Sequence, residues 1–423
     1  MSQPWNDRML TAANVNSNTT FRKRTLGSGE EIVHDAIHRT QRAIFTQSIV
    51  PWKFYPRNAD FEPPMGPSKR QIHSIVIVQN GTDAEGAGAA GPGAVDESYT
   101  LRITTDGRVE MTAATSVGVL RALETFTQLF FQHSQDQSDV YSNLIPVEIH
   151  DSPKFAHRGL NLDLARNWIP VPDVLRTIDA LAWNKFNRLH LHMTDSQSWP
   201  LEIPALPELA AKGAYRKDLT YSPADLEQMQ FYAHARGVEV IVEIDMPGHM
   251  GSIALSAPEL IAAFDMQPDW RTYSAEPPSG QIKLNHPAAF TFLDTLLDDL
   301  LPRLAPHGAY FHTGGDEVNA NAYLFDETVK SNATAVIKPL LQKFLDHVHA
   351  TVRNHGLVPM VWEEMLLEWN LTLGSDVVVQ TWRSSEAVLA TVQKGHKALV
   401  GNYNYWVLVS LPASSASRGT TTD

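Results

Sequence analysis

Two adjacent carboxylates, Asp316 and Glu317, are the residues of this chain best suited to do chemistry. They follow a short apolar run and two glycines in the segment YFHTGGDEVN, residues 310–319. Two like charges so close together cost energy unless a site uses them. Such a pair suits acid–base chemistry in which one group donates a proton while the other stays ionised. Alternatively, the acids cap the element that follows, although one cap needs only one acid.

Seven strand-like apolar runs after residue 157 must position these acids. They alternate with helical stretches, which indicates a parallel sheet covered by helices. The runs are GLNLDLA, NRLHLHMTD, VEVIVEID, AYFHTGGDE, LVPMVWEE, DVVVQTW and KALVGNY. Seven units are one short of a (β/α)8 barrel, so we predict an α/β fold, a TIM barrel that lacks its last strand, over residues 153–406.

The residues before the barrel are predicted to form a small α+β domain over residues 21–152. Its signals are an amphipathic helix, a β-rich run, a hairpin that turns at Asp106-Gly107 and a second helix. The segments are EEIVHDAIHRTQRAIF, SIVIVQN, ESYTLRITTDGRVEMTAA and TSVGVLRALETFTQLFFQ. Residues 1–20 are polar and are expected to be disordered.

Composition excludes several classes of function. The chain of 423 residues is 43% hydrophobic and 19% charged, which is typical of a globular protein. Its formal net charge of −13 argues against a nucleic-acid or anionic-membrane partner, because either would need a basic face. The chain contains no cysteine, so disulfides, zinc–thiolate sites and thiol nucleophiles are excluded.

Polar and aromatic residues follow six of the strand-like runs, at the end where barrel enzymes place their chemistry. They are Asp163, Arg166, His190, His192, Asp195, Asp245, His249, His312, Asp316, Glu317, Trp362, Glu363, Glu364 and Trp382. Carboxylates ringed by tryptophans suit a sugar, because an indole stacks on its C–H face while charged groups hold its hydroxyls. Taken singly, each residue also has a structural explanation, such as a turn cap for Asp195 or a core position for Trp362 and Trp382.

A metal-dependent hydrolase is the alternative that the histidines keep open. His190, His192, His249, His312 and Asp316 together have the donor types of a divalent-cation site, and barrels with His-x-His on an early strand use them so. This interpretation leaves the tryptophans and the paired acids without a role.

Six ordered motifs resemble those of the β-N-acetylhexosaminidases of glycoside hydrolase family 20, in particular the secreted fungal enzymes. The motifs are HRGLNLDLARNW, LHLHMTDSQSWP, EIDMPGH, HTGGDEVN, VWEEM and VVQTW. ESYTLRI and GVLRALETFTQL resemble the small domain that precedes the barrel in this family. The resemblance implies retaining hydrolysis of terminal non-reducing β-linked N-acetylglucosamine or N-acetylgalactosamine from chitin oligomers or glycans, with neither a cofactor nor a metal.

The resemblance also implies a role for each site residue. The substrate's own 2-acetamido oxygen replaces an enzyme nucleophile. Glu317 is expected to be the general acid and then the base, and Asp316 to orient the acetamide and raise the pKa of Glu317. The implied substrate-binding residues are Arg158 for the 3- and 4-hydroxyls, Asp195 and His249 as supports, and Trp362 and Trp382 as pocket walls.

The resemblance stops at Trp406. Val407 and Val409 stand where the family has a Tyr and an Asp or Asn that hold the sugar, and the eighth strand is missing. We therefore expect residues 407–423 to be an aberrant disordered tail that arises from a gene-model error. The corresponding alternative function is a truncated product that is inactive or binds sugar weakly.

Localisation and assembly are inferred from the same resemblance. It implies a secreted parent enzyme and a homodimer, and four sequons, at Asn18, Asn80, Asn332 and Asn370, agree with secretion. No signal peptide is visible in this chain.

Overall fold

The computed structural model describes residues 13–24, 30–47, 55–64, 70–83, 95–136 and 139–402. Two seven-stranded sheets organise these residues, one in each of two successive units. The predictions for residues 1–12 and for the tail at 407–423, including Val407 and Val409, concern positions outside the described residues. No helix within the described ranges combines the length and the apolar character needed to cross a bilayer.

The first sheet and two helices form an α+β unit. Its strands are β1 (Ala13–Arg24), β2 (Arg70–Gln79), β3 (Tyr99–Ile103), β4 (Arg108–Ala113), β5 (Phe131–Gln132), β6 (Val140–Ser142) and β7 (Val147–Asp151). Their order in the sheet is β5-β6-β1-β2-β4-β3-β7. Helices α1 (Glu30–Thr46) and α2 (Ser116–Gln128) share one apolar core with the sheet. The predicted hairpin is β3–β4, and Gly107 supplies the positive φ of +80° that its turn requires.

Residues 13–20, which the sequence predicts to be disordered, form the first part of β1. This strand pairs in parallel with β2 and antiparallel with β6. The sequence of residues 13–20 is polar and carries no apolar strand pattern. The strand forms because it pairs with a neighbour on each side, and strand formation depends strongly on such tertiary context.

The second sheet contains all seven strands predicted for the barrel, and every neighbouring pair is parallel. They are β8 (Gly159–Asp163), β9 (Arg188–His192), β10 (Glu239–Glu243), β13 (Tyr310–His312), β14 (Val358–Trp362), β15 (Val378–Thr381) and β16 (Lys397–Val400). A separate antiparallel ribbon consists of β11 (Ile261–Ala262) and β12 (Gln281–Ile282). This arrangement is an incomplete TIM barrel after a small N-terminal domain, as predicted.

Helices connect the strands and bury apolar faces against the sheet. They are α3 (Val171–Trp183), α4 (Glu208–Gly213), α5 (Pro223–His234), α6 (Pro287–Leu304), α7 (Thr334–Asn354), α8 (Glu363–Leu367) and α9 (Ser385–Gln393). Short 3-10 turns occupy Gly251–Leu255, Pro258–Leu260, Trp270–Thr272 and Ala320–Phe325. Every residue of β9 and β10 is buried, which explains the apolar residues in these strands. The histidines of β9 and the glutamates of β10 are buried with them.

The outer strands of the barrel sheet are β8 and β16. Within the described residues each of them pairs with one neighbour only, β8 with β9 and β16 with β15. Leu160 on β8 is 41% exposed and Val400 on β16 is 59% exposed. Both edges therefore present backbone groups and apolar side chains.

A buried polar network joins the two units at the N-terminal ends of β8 and β9. The carboxylate of Glu97 accepts hydrogen bonds from Arg121 (2.7 Å), Arg158 (2.6 Å) and the side-chain amide of Asn187 (2.9 Å). Arg121 also donates to the backbone carbonyl of Gly237. Glu97 thus ties the α+β unit to the end of the barrel opposite Asp316.

Candidate active site

A sharp backbone turn after β13 presents Asp316 and Glu317 at the mouth of the barrel. Gly314 and Gly315 have φ values of +68° and +106°, and Glu317 itself has a φ of +53°. A Cβ on Gly314 would overlap the carboxylate and Cα of Asp245, while the Gly315 N–H donates to Asp245 Oδ1 at 2.8 Å. Only glycine fits this approach, so the pair of glycines allows both acids to leave the strand side by side.

His249 connects the predicted support residue Asp195 to the acid pair. Its Nδ1 lies 3.1 Å from Asp195 Oδ1, and its Nε2 lies 3.3 Å from Glu317 Oε2 and 3.7 Å from Asp316 Oδ2. Asp195 is fully buried and also contacts His192 Nε2 at 2.7 Å. The structure therefore brings Asp195, His249, Asp316 and Glu317 together.

Charges in this cluster are set by burial and by close partners. Burial alone would lower the pKa of His249, but Asp195, Asp245 and Asp316 raise it well above its usual range. Burial would likewise raise the pKa of Asp195, but His249, His192 and Arg166 hold it well below its ordinary value. The Asp195–His249 pair is therefore a carboxylate–imidazolium pair near neutral pH.

The expectation that Asp316 raises the pKa of Glu317 is wrong for this structure. Burial does favour the protonated form of Glu317, but the close contact with His249 and its charge outweigh burial and lower the pKa of Glu317. The carboxyl groups that retain protons are neighbours of Asp316. Burial and the charge of Asp316 raise the pKa of Asp245 well above normal and that of Glu364 to about 8.

Both predicted pocket tryptophans lie at the C-terminal ends of adjacent strands. Trp362 ends β14, and its indole donates to Glu243 Oε1 at 2.7 Å while its backbone N–H donates to the carbonyl of Gly314. Trp382 follows β15, and its indole donates to Glu364 Oε1 at 3.0 Å. Each indole is partly exposed on the side of the sheet that carries the acid pair.

Arg158 does not lie in this site. It precedes β8, at the opposite end of the strand, and its guanidinium is occupied by Glu97 and by the backbone carbonyls of Lys185 and Phe155. Its role is therefore in the contact between the two units. The structure corrects the expectation that it holds the sugar's hydroxyls.

Arg166 is the arginine that the structure places beside the acid pair. It contacts Asp195 at 2.8 Å, Asp163 at 2.9 Å and Glu276 at 3.0 Å. The sequence does indicate which arginine lies at the site: Arg158 and Arg166 belong to one motif, but only Arg166 follows the C-terminal end of β8.

A small open cleft adjoins Glu317 and His249. Polar residues line it, including Ser196, Gln197 and Glu276, which come from loops between the strands. Gln197 Nε2 donates to the carbonyl of Pro277 at 3.0 Å. Neither Gln197 nor Glu276 has a periodic sequence signal, so sequence reasoning missed both.

Three of the four histidines of the metal alternative, His190, His192 and His312, surround one buried carboxylate, Glu243. Three groups have ligand atoms close enough to hold a metal ion: His190–Glu243–His312, His192–Glu243–Asp245 and Asp245–His249–Asp316. Glu243 lies 2.8 Å from His190, 2.9 Å from His192 and 3.2 Å from His312. Hydrogen bonds between an imidazole and a carboxylate are enough to explain these short distances. Burial would raise the pKa of Glu243, but the three histidines hold it well below its ordinary value.

An incomplete TIM barrel with a paired acid at its strand ends and tryptophans beside it defines the class of glycoside hydrolases. The sequence matches the family described as "Glycosyl hydrolase family 20, catalytic domain" over residues 155–419. Residues 2–129 match a second family, "beta-acetyl hexosaminidase like". The chain belongs to glycosyl hydrolase family 20.

Named relatives agree with this membership. A beta-hexosaminidase of Arthroderma benhamiae is 44% identical over 416 residues, which cover 96% of this chain and 67% of the relative. Beta-hexosaminidase subunit A1 of Dictyostelium discoideum is 34% identical over 72% of this chain and 56% of its own length. The chain thus spans between about half and two thirds of the length of these relatives.

Solved structures of the family share the fold. The chitobiase of Flavobacterium johnsoniae superposes with a TM-score of 0.70 at 25% identity, over 92% of this chain and 57% of that one. An exo-β-N-acetylglucosaminidase of Vibrio harveyi, in complex with N-acetylglucosamine, gives 0.69 at 22% identity, over 92% and 58%. The second comparison bears on the fold alone.

Proposed function

We propose that this protein is a β-N-acetylhexosaminidase that removes terminal non-reducing β-linked N-acetylglucosamine or N-acetylgalactosamine from chitin oligomers or glycans. The observation that carries the proposal is the placement of Asp316 and Glu317 next to His249, in a barrel of this family. The names of the relatives support the same substrate class.

Glu317 is the proton donor in this proposal. Its side chain is 26% exposed and lines the cleft, so a glycosidic oxygen can reach it. His249 favours the ionised form of Glu317. A bound sugar excludes water, which favours the protonated acid again and brings its pKa towards the value that leaving-group protonation needs. After departure of the leaving group, the same carboxylate activates water.

Asp316 is proposed to act on the 2-acetamido group. Its side chain is 18% exposed, and its neighbours are His249 and the two protonated acids Asp245 and Glu364. An ionised carboxylate here accepts the acetamide N–H and stabilises the positive charge that develops as the acetamide oxygen attacks the anomeric carbon. Trp362 and Trp382 wall the space for the acetamide methyl in this proposal, and Arg166 replaces Arg158 as the hydroxyl-binding arginine.

Comparison of three fluorogenic substrates tests the function. The purified chain should cleave the 4-methylumbelliferyl β-glycosides of N-acetylglucosamine and N-acetylgalactosamine and leave the β-glucoside nearly intact, because the glucoside lacks the nucleophile. Similar rates on all three would contradict the substrate-assisted mechanism. No hydrolysis of either N-acetyl substrate by the folded chain would instead support the alternative of a product that is inactive or binds sugar weakly.

The metal-dependent alternative is tested with the same substrates. Dialysis against EDTA should leave the rate on the N-acetylglucosamine substrate unchanged. Loss of that activity, restored by zinc, would favour metal-assisted hydrolysis by the groups around Glu243 and Asp245.

Secretion, glycosylation and a homodimer are part of the proposal. Three of the four sequon asparagines, Asn80, Asn332 and Asn370, are exposed, which supports their use as acceptors. Expression through a eukaryotic secretory route should give a protein whose mass falls on treatment with an endoglycosidase. Light scattering after size-exclusion chromatography distinguishes the dimer from a monomer.

A further inference from the structure

Trp382 is held at both its backbone and its side chain by two adjacent acids of α8. Glu363 Oε2 accepts the backbone N–H of Trp382 at 3.0 Å, and Glu364 Oε1 accepts the indole N–H at 3.0 Å. Glu363 is 3% exposed and Glu364 is 1% exposed. Two adjacent buried carboxyls are unusual in the first turn of a short helix, because acids at that position are normally exposed to solvent.

Helix α8 also links the two tryptophans of the site. It begins directly after Trp362, the last residue of β14, and its acids reach across to the end of the neighbouring strand β15. Arg383 strengthens this link, because it pairs with Glu364 at 2.8 Å and with Glu368 at 2.9 Å. Arg383 also lies over the Trp382 ring, 5.2 Å from its centroid. The orientation of the indole therefore depends on Glu364 through its hydrogen bond and through the arginine that Glu364 holds.

We propose that Glu364 is a positioning residue that fixes the indole of Trp382 and thereby sets the largest N-acyl group that the site accepts. This inference rests on the proposed function, in which Trp382 is a wall of the acetamide pocket. An indole without its hydrogen-bond acceptor gains rotational freedom, so the wall moves and an additional methylene fits. A pocket of fixed shape discriminates one methylene by about 10- to 200-fold.

The test compares an N-propionyl with an N-acetyl β-glucosaminide in E364L, E364Q and E368Q. Leucine removes the acceptor at similar volume, and glutamine keeps an acceptor oxygen. E368Q is the matched control, because it removes the other acidic partner of Arg383, which lies over the Trp382 ring, and leaves the indole hydrogen bond in place. We expect the kcat/KM ratio of N-propionyl to N-acetyl substrate to rise at least about 10-fold in E364L, to rise less in E364Q and to stay within about twofold in E368Q.

A double-mutant cycle shows whether Glu364 acts through Trp382. In the W382F background, E364Q and E364L should change the substrate ratio no further, since the indole they position is absent. Equal effects of the Glu364 variants with and without Trp382 would overturn the proposal. If E364L does not fold, E364Q carries the cycle alone.

An NMR readout separates this inference from the proposed function. The indole N–H signal of Trp382, assigned with W382F in protein labelled at tryptophan nitrogen, should shift upfield and exchange faster in E364L but not in E368Q. An unchanged signal in E364L would overturn the positioning role even in an active enzyme. Absence of hydrolysis by the wild type, with the signal shifted as expected, would contradict the proposed function and leave the hydrogen bond established.

Discussion

The Nε2 atom of His249 lies 3.3 Å from a carboxylate oxygen of Glu317. The other imidazole nitrogen contacts the buried Asp195, whose charge favours the protonated form of His249. Asp195 therefore influences the pKa of the proposed proton donor, Glu317, through His249. This relationship explains why the pKa of Glu317 is lowered despite its partial burial. Replacement of any of the three residues should therefore change the pH dependence as well as the rate.

Removal of the proton donor should affect substrates according to their leaving groups. We expect E317Q to lower kcat by about 10²- to 10⁴-fold on a natural disaccharide, whose alcohol leaves only after protonation. An aryl glycoside with an acidic phenol should lose much less in its first step. Steady-state and burst kinetics on both substrates measure the difference.

The control for this prediction is E386Q, because Glu386 is an exposed acid at the start of α9, far along the chain from the pair. It should keep the wild-type rates. An equal loss for E317Q on activated and natural substrates would contradict the role of proton donor.

The two arginines of the motif HRGLNLDLAR should separate into a stability role and a substrate role. R158Q leaves the buried Glu97 with one partner fewer and should lower the free energy of unfolding by about 1–3 kcal/mol. R166Q should lower kcat/KM of the folded protein by about 10- to 100-fold, whereas R158Q should leave it within about twofold, since only Arg166 lies where it can donate charged hydrogen bonds to the sugar. Urea unfolding and initial rates check both variants, and the opposite pattern would restore Arg158 to the site.

Neutralisation of Asp195 should move the basic limb of the pH–rate profile upwards. Burial alone would lower the pKa of His249, and the charge of Asp195 is the largest effect that raises it. Without that charge the imidazole should lose its proton at a lower pH. A neutral His249 no longer holds down the pKa of Glu317, so the acid keeps its proton to higher pH. The profile of kcat/KM for D195N, compared with wild type, checks this. A basic limb that moves to lower pH would contradict the proposed relay.

Glu364 should make the protein less stable as pH rises. Its folded pKa of about 8 exceeds the ordinary 4.5, so between these values the unfolded chain releases a proton that the folded protein keeps. Unfolding is then favoured by rising pH, with a slope of at most about 1.4 kcal/mol per pH unit for one proton. E364Q has no such proton, so its free energy of unfolding should fall less steeply from pH 5 to pH 8. E368Q should keep the wild-type slope in the same urea titrations.

Much of the barrel could be predicted because its central strands, such as β9 and β10, are buried on both faces. Runs such as VEVIVEID carry a continuous apolar signal, and the parallel arrangement follows from the helices between them. The mouth residues Asp195, His249, Asp316 and Glu317 could be predicted because each follows such a run. In contrast, the first part of β1 is polar and has no apolar strand pattern, so only its pairing with β2 and β6 in the folded chain shows that it is a strand.

The errors at the site have physical causes that spacing does not reveal. Arg158 and Arg166 are eight residues apart, and only the strand between them decides which end of the barrel each one reaches. The direction of the Glu317 pKa depends on the orientation of His249, which lies 68 positions earlier in the sequence numbering and has a φ of +46°. Glu276 comes from a loop without periodicity, so only the folded chain shows its contact with Arg166.

The most direct test of the central claim is the rate of hydrolysis as the substrate's own nucleophile is weakened. Aryl β-glucosaminides that carry N-acetyl, N-fluoroacetyl, N-difluoroacetyl and N-trifluoroacetyl groups differ little in size but progressively lose carbonyl basicity. If the acetamide oxygen attacks the anomeric carbon beside Asp316 and Glu317, kcat/KM should fall steeply with each fluorine. A rate that is independent of fluorination would contradict substrate-assisted catalysis and require another nucleophile.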